Sequence, residues 1–151
     1  MDWKLELVLL PVADVDVSKA FYTDEAGFNL DIDRPVEAGD WVDEDTSPTE
    51  KIRVVQLTPR GSACSIAFGT GITDAAPGSV VGLHLIVTDI VAARAELVER
   101  GVEVTEVRHI AEGEWVPGPD PEHADYNSFA DFKDLDGNTW VLQEVGHKPQ
   151  A

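Results

Sequence analysis

His84 is the side chain whose type and setting most clearly suit chemistry in this sequence. It lies in an apolar run, 82–87, that is typical of a buried strand. A neutral imidazole in a cleft can act as a base, an acid or an anchor near neutral pH. A structural, hydrogen-bonded histidine is an equally good interpretation. We therefore take His84 as the candidate catalytic residue and keep both roles open.

Five further side chains of metal-ligand type lie near one another in the sequence. They are His109, Glu112, Glu114, His123 and Asp125. Imidazole and carboxylate groups bind divalent ions, so these residues could supply a metal site derived from loops. Their spacing fits no ligand motif with a defined mechanism, and such groups in loops usually contact water. The loop-derived metal therefore stays an alternative.

The composition excludes several classes of partner. The net charge is -18, from 29 acidic and 11 basic side chains, and such a surface repels nucleic-acid phosphates and anionic lipids. No apolar run reaches the roughly 20 residues that a membrane helix needs. Cys64 is the single cysteine, which excludes an internal disulfide and favours a reducing compartment. We predict a cytoplasmic protein that binds neither nucleic acid nor membranes.

An internal repeat organises the chain. A Val-x-Asp motif ends at Asp14 and recurs at Asp89, and 89 − 14 = 75. Each Asp follows a strand-like run and can accept hydrogen bonds from the free backbone N–H groups of a first helical turn. Each predicted helix stops at a glycine, Gly27 in the first copy and Gly101 in the second. Both copies therefore begin as strand, helix and glycine stop.

Three predicted strands follow the helix in each copy. They are 28–32, 52–57 and 64–68 in the first copy, and 102–107, 129–132 and 139–145 in the second. An Asp-Gly-Asn turn at 136–138 separates the last two. The pattern predicts an α+β fold in which two tandem βαβββ modules form a pair of curved, mixed sheets around a cleft. We place module one at about 4–70 and module two at about 80–146, within a single domain, 1–151.

Two long stretches fall outside this pattern, at 35–50 and at 112–127. Long loops in a compact domain often act as lids over a binding face. We predict flaps over the open side of the sheets, with Trp41, Trp115 and Tyr126 as lid residues. Plain solvated loops are an equally good interpretation.

The order of these motifs resembles the vicinal oxygen chelate superfamily. The resemblance is carried by the paired βαβββ plan, by the Val-x-Asp motif that leads into Ala20-Phe21-Tyr22, and by the closing segment 134–140, Asp-Leu-Asp-Gly-Asn-Thr-Trp. That superfamily includes glyoxalase I, bleomycin-type and fosfomycin resistance proteins, and extradiol dioxygenases. The likeness covers essentially the whole chain, so it implies the same fold with a cleft between the modules.

The resemblance also implies where a metal would be bound. In metal-dependent members each module supplies one ligand from its first strand and one from its fourth. The matching positions here are Leu7, Ala67, Gly82 and Val141. A divalent ion needs carboxylate, imidazole or thiolate donors, which none of these side chains offers. The superfamily allows a divalent metal, but these residues favour none, so we predict no metal ligands and no cofactor.

Strand alternation predicts which side chains line the cleft. They are Leu7, Leu9, Ser65, Ala67, Gly82, His84, Val141 and Gln143. Small, aliphatic and polar residues in this mixture are typical of a pocket for a largely apolar ligand with a few polar anchors. The alternative is a closed core, but residues as small as Gly82 and Ala67 fill a core poorly.

We therefore expect a protein like the glyoxalases and bleomycin resistance proteins, which binds a small organic molecule in a cleft between its modules without the metal of that superfamily. The acidic surface favours a cationic ligand. One alternative is a lyase, isomerase or dioxygenase-like enzyme that acts on a carbonyl or aromatic metabolite through His84 or a loop-derived metal. Another is an interaction module with a vestigial cleft. Many members pair as two-fold dimers, so the resemblance also raises the expectation of a homodimer.

Overall fold

The computed structural model describes residues 1–35 and 52–150. The chain divides into two compact units, Met1–Ser79 and Val80–Ala151. None of the described helices is both long and apolar enough to cross a bilayer. The prediction that the whole chain forms one domain stays a prediction.

In its described residues, the first unit is a four-stranded sheet with one helical region. Its elements are β1 (Leu7–Leu9), α1 (Val15–Ala20), a π-helical segment (Phe21–Glu25), β2 (Asn29–Pro35), β3 (Arg53–Thr58) and β4 (Ser65–Thr70). The strand order is β1-β4-β3-β2, with β1 parallel to β4 and the other pairs antiparallel. This is the predicted βαβββ order, and β1 pairs with β4 over three residues.

Aromatic rings form the core of the first unit. Tyr22, on the π-helical segment, is fully buried, and its ring centroid lies 5.5 Å from that of Phe28 and 5.8 Å from that of Phe68 on β4. Phe21 meets Tyr22 edge-on at 5.0 Å. Burying a side chain of this size stabilises a fold by about 1.5–3 kcal/mol. The helical region is therefore held on one face of the sheet mainly by these rings.

The second unit is a five-stranded sheet covered by one helix. Its elements are β5 (Leu83–Val87), α2 (Ile90–Glu99), β6 (Arg108–Ala111), β7 (Glu114–Pro117), β8 (Phe129–Lys133) and β9 (Thr139–Glu144). The order is β5-β9-β8-β6-β7, and β5 runs parallel to β9. Ile90 and Leu97 of α2 are buried, as are Phe132 and Trp140, whose parallel rings lie 6.0 Å apart.

Both predicted helix starts and stops are confirmed. The Asp14 carboxylate accepts the N–H of Val17 at 3.1 Å, and that of Asp89 accepts the N–H of Ala92 at 3.0 Å. Asp89 also accepts the backbone N–H of Gln150 at 2.9 Å. These backbone hydrogen bonds, first from Gln150 and then from Ala92, hold the pKa of Asp89 below its ordinary value. After the two helices, Gly27 and Gly101 adopt left-handed φ angles of 76° and 99°.

The predicted turn before the last strand is also confirmed, and a buried carboxylate organises it. Asp134 Oδ1 accepts the backbone N–H groups of Asp136, Gly137 and Asn138 at 2.9, 3.0 and 2.9 Å. Gly137 has a φ of 101°, a conformation that side chains rarely adopt. This turn sets the register of β9 against β8.

One predicted strand of the second module is wrong. Residues 102–107 form no strand, and only an isolated bridge joins Val104 to Phe132. The guanidinium of Arg94 on α2 binds this stretch by donating to the carbonyl oxygens of Val104 and Thr105. Val102 and Val107 are buried, so the apolar pattern reflects burial rather than strand pairing.

The stretch 112–127, predicted as a flap, is partly regular. Its beginning forms β7, which pairs with β6 as an antiparallel hairpin. Beyond β7, the carboxylate of Asp120 accepts the N–H of Glu122 at 3.0 Å, the N–H of Ala124 at 3.2 Å and the amide of Asn127 at 3.1 Å. These bonds, led by the one from Asn127, lower the pKa of Asp120.

Candidate functional site

The register of the second sheet places a mixed set of side chains on one face. His84 on β5 pairs with Val141 on β9, and Val141 pairs with Asp131 on β8. Residues paired directly across neighbouring strands project from the same side of a sheet. The row that contains Ile86, Gln143, Phe129 and Arg108 is built in the same way. We call this side, with Trp115 of the β6–β7 hairpin, the open face; its residues are His84, Ile86, Arg108, Trp115, Phe129, Asp131, Val141 and Gln143.

The opposite face of the same sheet is closed. Trp140, Leu142 and Glu144 on β9 are each 1–2% exposed, and Ala130 and Phe132 on β8 are also buried. Trp140 and Leu142 alternate along β9 with Val141 and Gln143, the residues predicted to line the cleft, and both lie buried on the other face. The open face is therefore the side of this sheet on which side chains can meet a ligand.

An aromatic and a cationic group meet at one end of the open face. The ring of Trp115 lies edge-on to Phe129, with centroids 5.4 Å apart. The guanidinium carbon of Arg108 lies 4.7 Å from the Trp115 ring centroid, and its Nη2 forms a 2.8 Å ion pair with Asp131. Trp115 nevertheless stays 55% exposed. Since Phe129 and Arg108 fix its orientation, Trp115 offers a rigid aromatic surface on which a flat molecule can stack.

His84 lies on the open face and is exposed. Its Nδ1 is 2.6 Å from the carbonyl oxygen of Gly82. A carbonyl only accepts hydrogen bonds, so in the neutral ring Nδ1 carries the proton and Nε2 is an acceptor. The Nδ1–H group makes a structural hydrogen bond, and Nε2 is available as a base or as an anchor for a ligand. Both roles inferred from sequence therefore stay open.

Gln143 and Tyr126 are joined at the edge of this site. The side-chain amide of Gln143 donates to the carbonyl oxygen of Tyr126 at 3.1 Å, which orients that amide. Tyr126 lies in a loop, with its side chain largely exposed. Trp115, the second predicted lid residue, lies on β7 rather than in a loop, and Trp41 is outside the described residues.

The predicted cleft residues of the first unit also share one face of their sheet. Leu7 pairs with Ser65 and Leu9 with Ala67. Ser65 and Ala67 are buried, and the Ser65 hydroxyl lies 2.6 Å from that of Thr58. Ser65 is therefore engaged within its own sheet, and Leu9, at 37% exposed, is the more accessible side chain of this group.

Gly82 has a different role from the one inferred from its size. It lies just before β5 with a φ of +82°, and its N–H donates to the Oγ1 and the carbonyl oxygen of Thr139 at 2.7 and 3.1 Å. A left-handed backbone favours glycine whatever space surrounds it. The left-handed backbone conformation therefore accounts for a glycine at this position. The small size of Gly82 does not by itself indicate a pocket.

The four positions that the resemblance assigns to metal ligands carry no side chains that could bind a metal. The aliphatic side chains of Leu7, Ala67 and Val141 have no donor atom, and Gly82 has no side chain. Imidazole, carboxylate or thiolate groups are the side chains that bind such ions. Metal-assisted chemistry at these four positions is therefore not supported by the chain's own residues.

The five loop residues considered as metal ligands are not brought together. His109 is buried on β6, where its Nδ1 lies 2.7 Å from the carbonyl oxygen of Gly118, while Glu112 and Glu114 are exposed on the hairpin. His123 lies elsewhere, with its Nδ1 3.0 Å from Glu144.

Sequence reasoning missed one cluster. In the part of the chain that the structure describes, the one group of three metal-type ligands consists of His123, Glu144 and His147. The sequence feature that could have revealed this cluster is the period-two pattern of β9. It places the carboxylate of Glu144 on the closed face, beside Trp140 and Leu142.

Comparison with known proteins identifies the family. A model of the Glyoxalase/Bleomycin resistance protein/Dioxygenase superfamily matches residues 4–142, and the chain belongs to that superfamily. The two mixed sheets and two helices agree with its α+β fold. A comparison with curated proteins found no match.

Three solved structures illustrate the likeness. TnmS3, an antibiotic binding protein from Streptomyces sp. CB03234, is 29% identical, with a TM-score of 0.67 over 95% of this chain and 96% of that one. A glyoxalase/bleomycin resistance protein from the same organism is 30% identical, with a TM-score of 0.65 over 93% and 99% of the two chains. A superfamily member from Sphaerobacter thermophilus DSM 20745 is 24% identical over 95% and 98%, with a TM-score of 0.63, and shares the fold.

Proposed function

We propose that the protein binds a small, partly aromatic organic molecule on the open face of the second sheet and holds it without chemical change. The observation that carries this proposal is the exposed Trp115, fixed by Phe129 and Arg108 on the same sheet face as His84 and Gln143. An oriented aromatic ring beside a few polar groups is the usual composition of a site for a flat organic ligand.

The exposed apolar area on this face supports the same conclusion. Besides Trp115, Ile86 is 53% exposed and Ile110 is 42% exposed, and the register places all three on one side of the sheet. Apolar side chains that cluster on a protein surface commonly mark a binding site. Covering them with a ligand removes apolar surface from water, which stabilises the complex by about 25 cal/mol per Å².

Charge favours a cationic ligand. The chain carries a net charge of -18, so its long-range field attracts cations and repels anions. Locally, the ion pair with Asp131 offsets the positive charge of Arg108. A flat aromatic cation can therefore approach Trp115 without strong repulsion from this guanidinium.

The relatives support a binding role. TnmS3 is described as an antibiotic binding protein, and this chain is 29% identical to it over nearly its whole length. We therefore place antibiotics and similar natural products among the first candidate ligands. A cytoplasmic location, a cleft between the modules and a two-fold dimer are parts of this proposal that stay predictions.

A second candidate is an enzyme of the lyase, isomerase or dioxygenase-like type that acts on a carbonyl or aromatic metabolite. The observation in its favour is the acceptor Nε2 of His84, which can accept a proton from a bound molecule. A turnover assay separates the two functions. A binding protein takes up one equivalent of ligand per site and releases it unchanged, whereas an enzyme converts many equivalents to product.

The binding proposal is tested with acridine orange, a planar aromatic cation, beside a panel of antibiotics, by calorimetry and ligand fluorescence. Trp115→Ala is expected to weaken binding about tenfold, since an aromatic or cation–π contact contributes about 0.5–1.5 kcal/mol beyond area burial. Trp3→Ala is the matched control, because Trp3 is also exposed, at 87%, but lies outside the second sheet. Equal losses in the two variants, or no saturable binding by any compound, would contradict the proposal.

A further inference from the structure

We infer that His123, Glu144 and His147 form a binding site for a divalent transition metal on the closed side of the second sheet. Their candidate donor atoms all lie within 4.8 Å of one another. Glu144 Oε1 lies 3.0 Å from Nδ1 of His123 and 3.3 Å from Nδ1 of His147. This inference goes beyond the proposed function, because the three residues are not part of the open face.

The carboxylate of Glu144 is buried and held in place. Its side chain is 2% exposed, and its Oε2 accepts the backbone N–H of Ile90, at the start of α2, at 2.9 Å. A carboxylate removed from water needs compensating partners. The helix N-terminus supplies one of them, which leaves Oε1 directed at the two imidazoles. A fixed carboxylate with one oxygen engaged by the backbone is a typical oriented metal ligand.

The two imidazoles do not both form hydrogen bonds with Oε1. The rings of His123 and His147 stack with centroids 3.6 Å apart and planes 8° apart. His123 makes the hydrogen bond to Glu144. Within the described residues, the buried Nδ1 of His147 has no hydrogen-bond partner, because its 3.3 Å approach to Oε1 lacks hydrogen-bond geometry. A buried ring nitrogen that lacks a hydrogen bond and lies beside a carboxylate is a position suited to a bound cation.

The ligand set identifies the class of ion. Two imidazole nitrogens and one carboxylate oxygen favour Zn²⁺ and its neighbours Co²⁺ and Ni²⁺ over Mg²⁺ or Ca²⁺, which prefer oxygen ligands. Ligands about 2.0–2.1 Å from one tetrahedral ion lie roughly 3.3 Å apart, close to the distances from Oε1 to the two Nδ1 atoms. His123 and His147 keep 36% and 24% of their side chains exposed, which gives an ion a route from solvent.

Metal binding requires one local movement. An ion bonds in the plane of an imidazole, and two parallel stacked rings cannot both direct Nδ1 lone pairs at one point. The rings must therefore tilt apart when the ion enters. The segments that carry them are joined, because Asp125 accepts the backbone N–H of Gly146 at 2.8 Å. The ion would thus clamp the 120–127 loop and the C-terminal segment onto the start of α2.

The experiment uses the full chain after dialysis against a chelator. Zn²⁺ is titrated by calorimetry and Co²⁺ by its visible absorption, which is intense for tetrahedral sites. We expect one equivalent to bind and to raise the melting temperature by several degrees. His147→Ala and His123→Ala should each weaken binding at least about 100-fold. His84→Ala, on the opposite face, should leave it unchanged.

Three results would overturn the inference: no saturable binding of Zn²⁺ or Co²⁺, equal affinity in His147→Ala and the unaltered chain, or equal losses in His147→Ala and His84→Ala. Glu144→Gln keeps an acceptor for Ile90, so it separates loss of the metal ligand from loss of the fold. Binding of acridine orange in His147→Ala tests the open face independently, so failure of one proposal does not imply failure of the other.

Discussion

The two faces of the second sheet are built from alternate residues of the same strands. Along β9, Trp140, Leu142 and Glu144 are buried, whereas Val141 and Gln143 keep part of their surface exposed. The buried face carries the apolar contacts that hold α2, and the other face exposes aromatic, aliphatic and polar groups together. Under the proposed function, stability and ligand binding thus depend on opposite sides of one backbone, one residue apart. Substitutions on the two sides should therefore have separable effects.

The largest effect is expected from Trp140→Ala, on the closed face. Trp140 is 2% exposed and stacks on Phe132, and truncating a large buried aromatic side chain typically costs 3–5 kcal/mol, or about half the stability of an ordinary domain. The neighbouring Val141→Ala, on the open face, should cost about 1 kcal/mol or less, because Val141 is only half-buried. Urea unfolding measures both. Equal losses would show that the two faces do not differ as described.

A smaller effect is expected from His84→Ala, on the open face. The variant removes the Nε2 acceptor, so binding of a ligand that donates a hydrogen bond there should weaken about fivefold, since one neutral hydrogen bond contributes about 1 kcal/mol. Stability should change by less than about 0.5 kcal/mol, as for most exposed substitutions. Calorimetry and thermal unfolding distinguish these quantities. Loss of a catalysed turnover in this variant, with ligand affinity unchanged, would instead favour the enzyme.

The smallest effect is expected at the surface of the first sheet, where charged side chains add contacts between the elements. Arg53 on β3 binds Asp33 on β2 through two hydrogen bonds of 2.9 Å, and Lys19 on α1 adds a third at 2.8 Å. The hydrogen bonds from Arg53, and then the one from Lys19, hold the pKa of Asp33 well below its ordinary value. Such partly exposed groups contribute about 1 kcal/mol or less, because water and salt screen them.

The direction of the pH dependence follows from the lowered pKa of Asp33. A carboxylate with a lower pKa in the folded chain adds stability above its ordinary value, about 3.9, and loses that contribution as the pH falls through the lowered value. Asp33→Asn should therefore reduce stability at pH 7 and have progressively less effect below about pH 4. Urea unfolding at both pH values tests this, with Asp24→Asn as an exposed control. A loss of stability that is equal at both pH values would show that the substitution disturbs packing rather than removing an ionised carboxylate.

The sequence was enough to predict the repeat, the helix caps and the two faces, because each depends on local pattern. Asp14 and Asp89 cap helices through bonds to residues three positions away. Period-two alternation assigned Trp140 and His84 to opposite sides without knowledge of the partner strand. The superfamily assignment from motif order is confirmed by the family model.

Features that depend on distant contacts could not be predicted in this way. The 102–107 run looks like a strand, but a guanidinium from α2 binds the carbonyl groups that a neighbouring strand would otherwise use. The stretch 112–127 falls outside the repeat and was predicted as a loop, although Pro117 ends β7 at the edge of the sheet, where proline is tolerated. The His123–Glu144 contact joins residues 21 positions apart, and no short motif marks it.

The start of α2 has a consequence for the exchange of backbone protons with solvent. The Ile90 amide is bound by a carboxylate that is itself buried, and the capped amide of Ala92 follows two residues later. First-turn amides of most helices exchange quickly because they face water. Here Ile90 should exchange with deuterium only when the unit opens as a whole, whereas Val17, capped by an exposed Asp14, should exchange through local fraying.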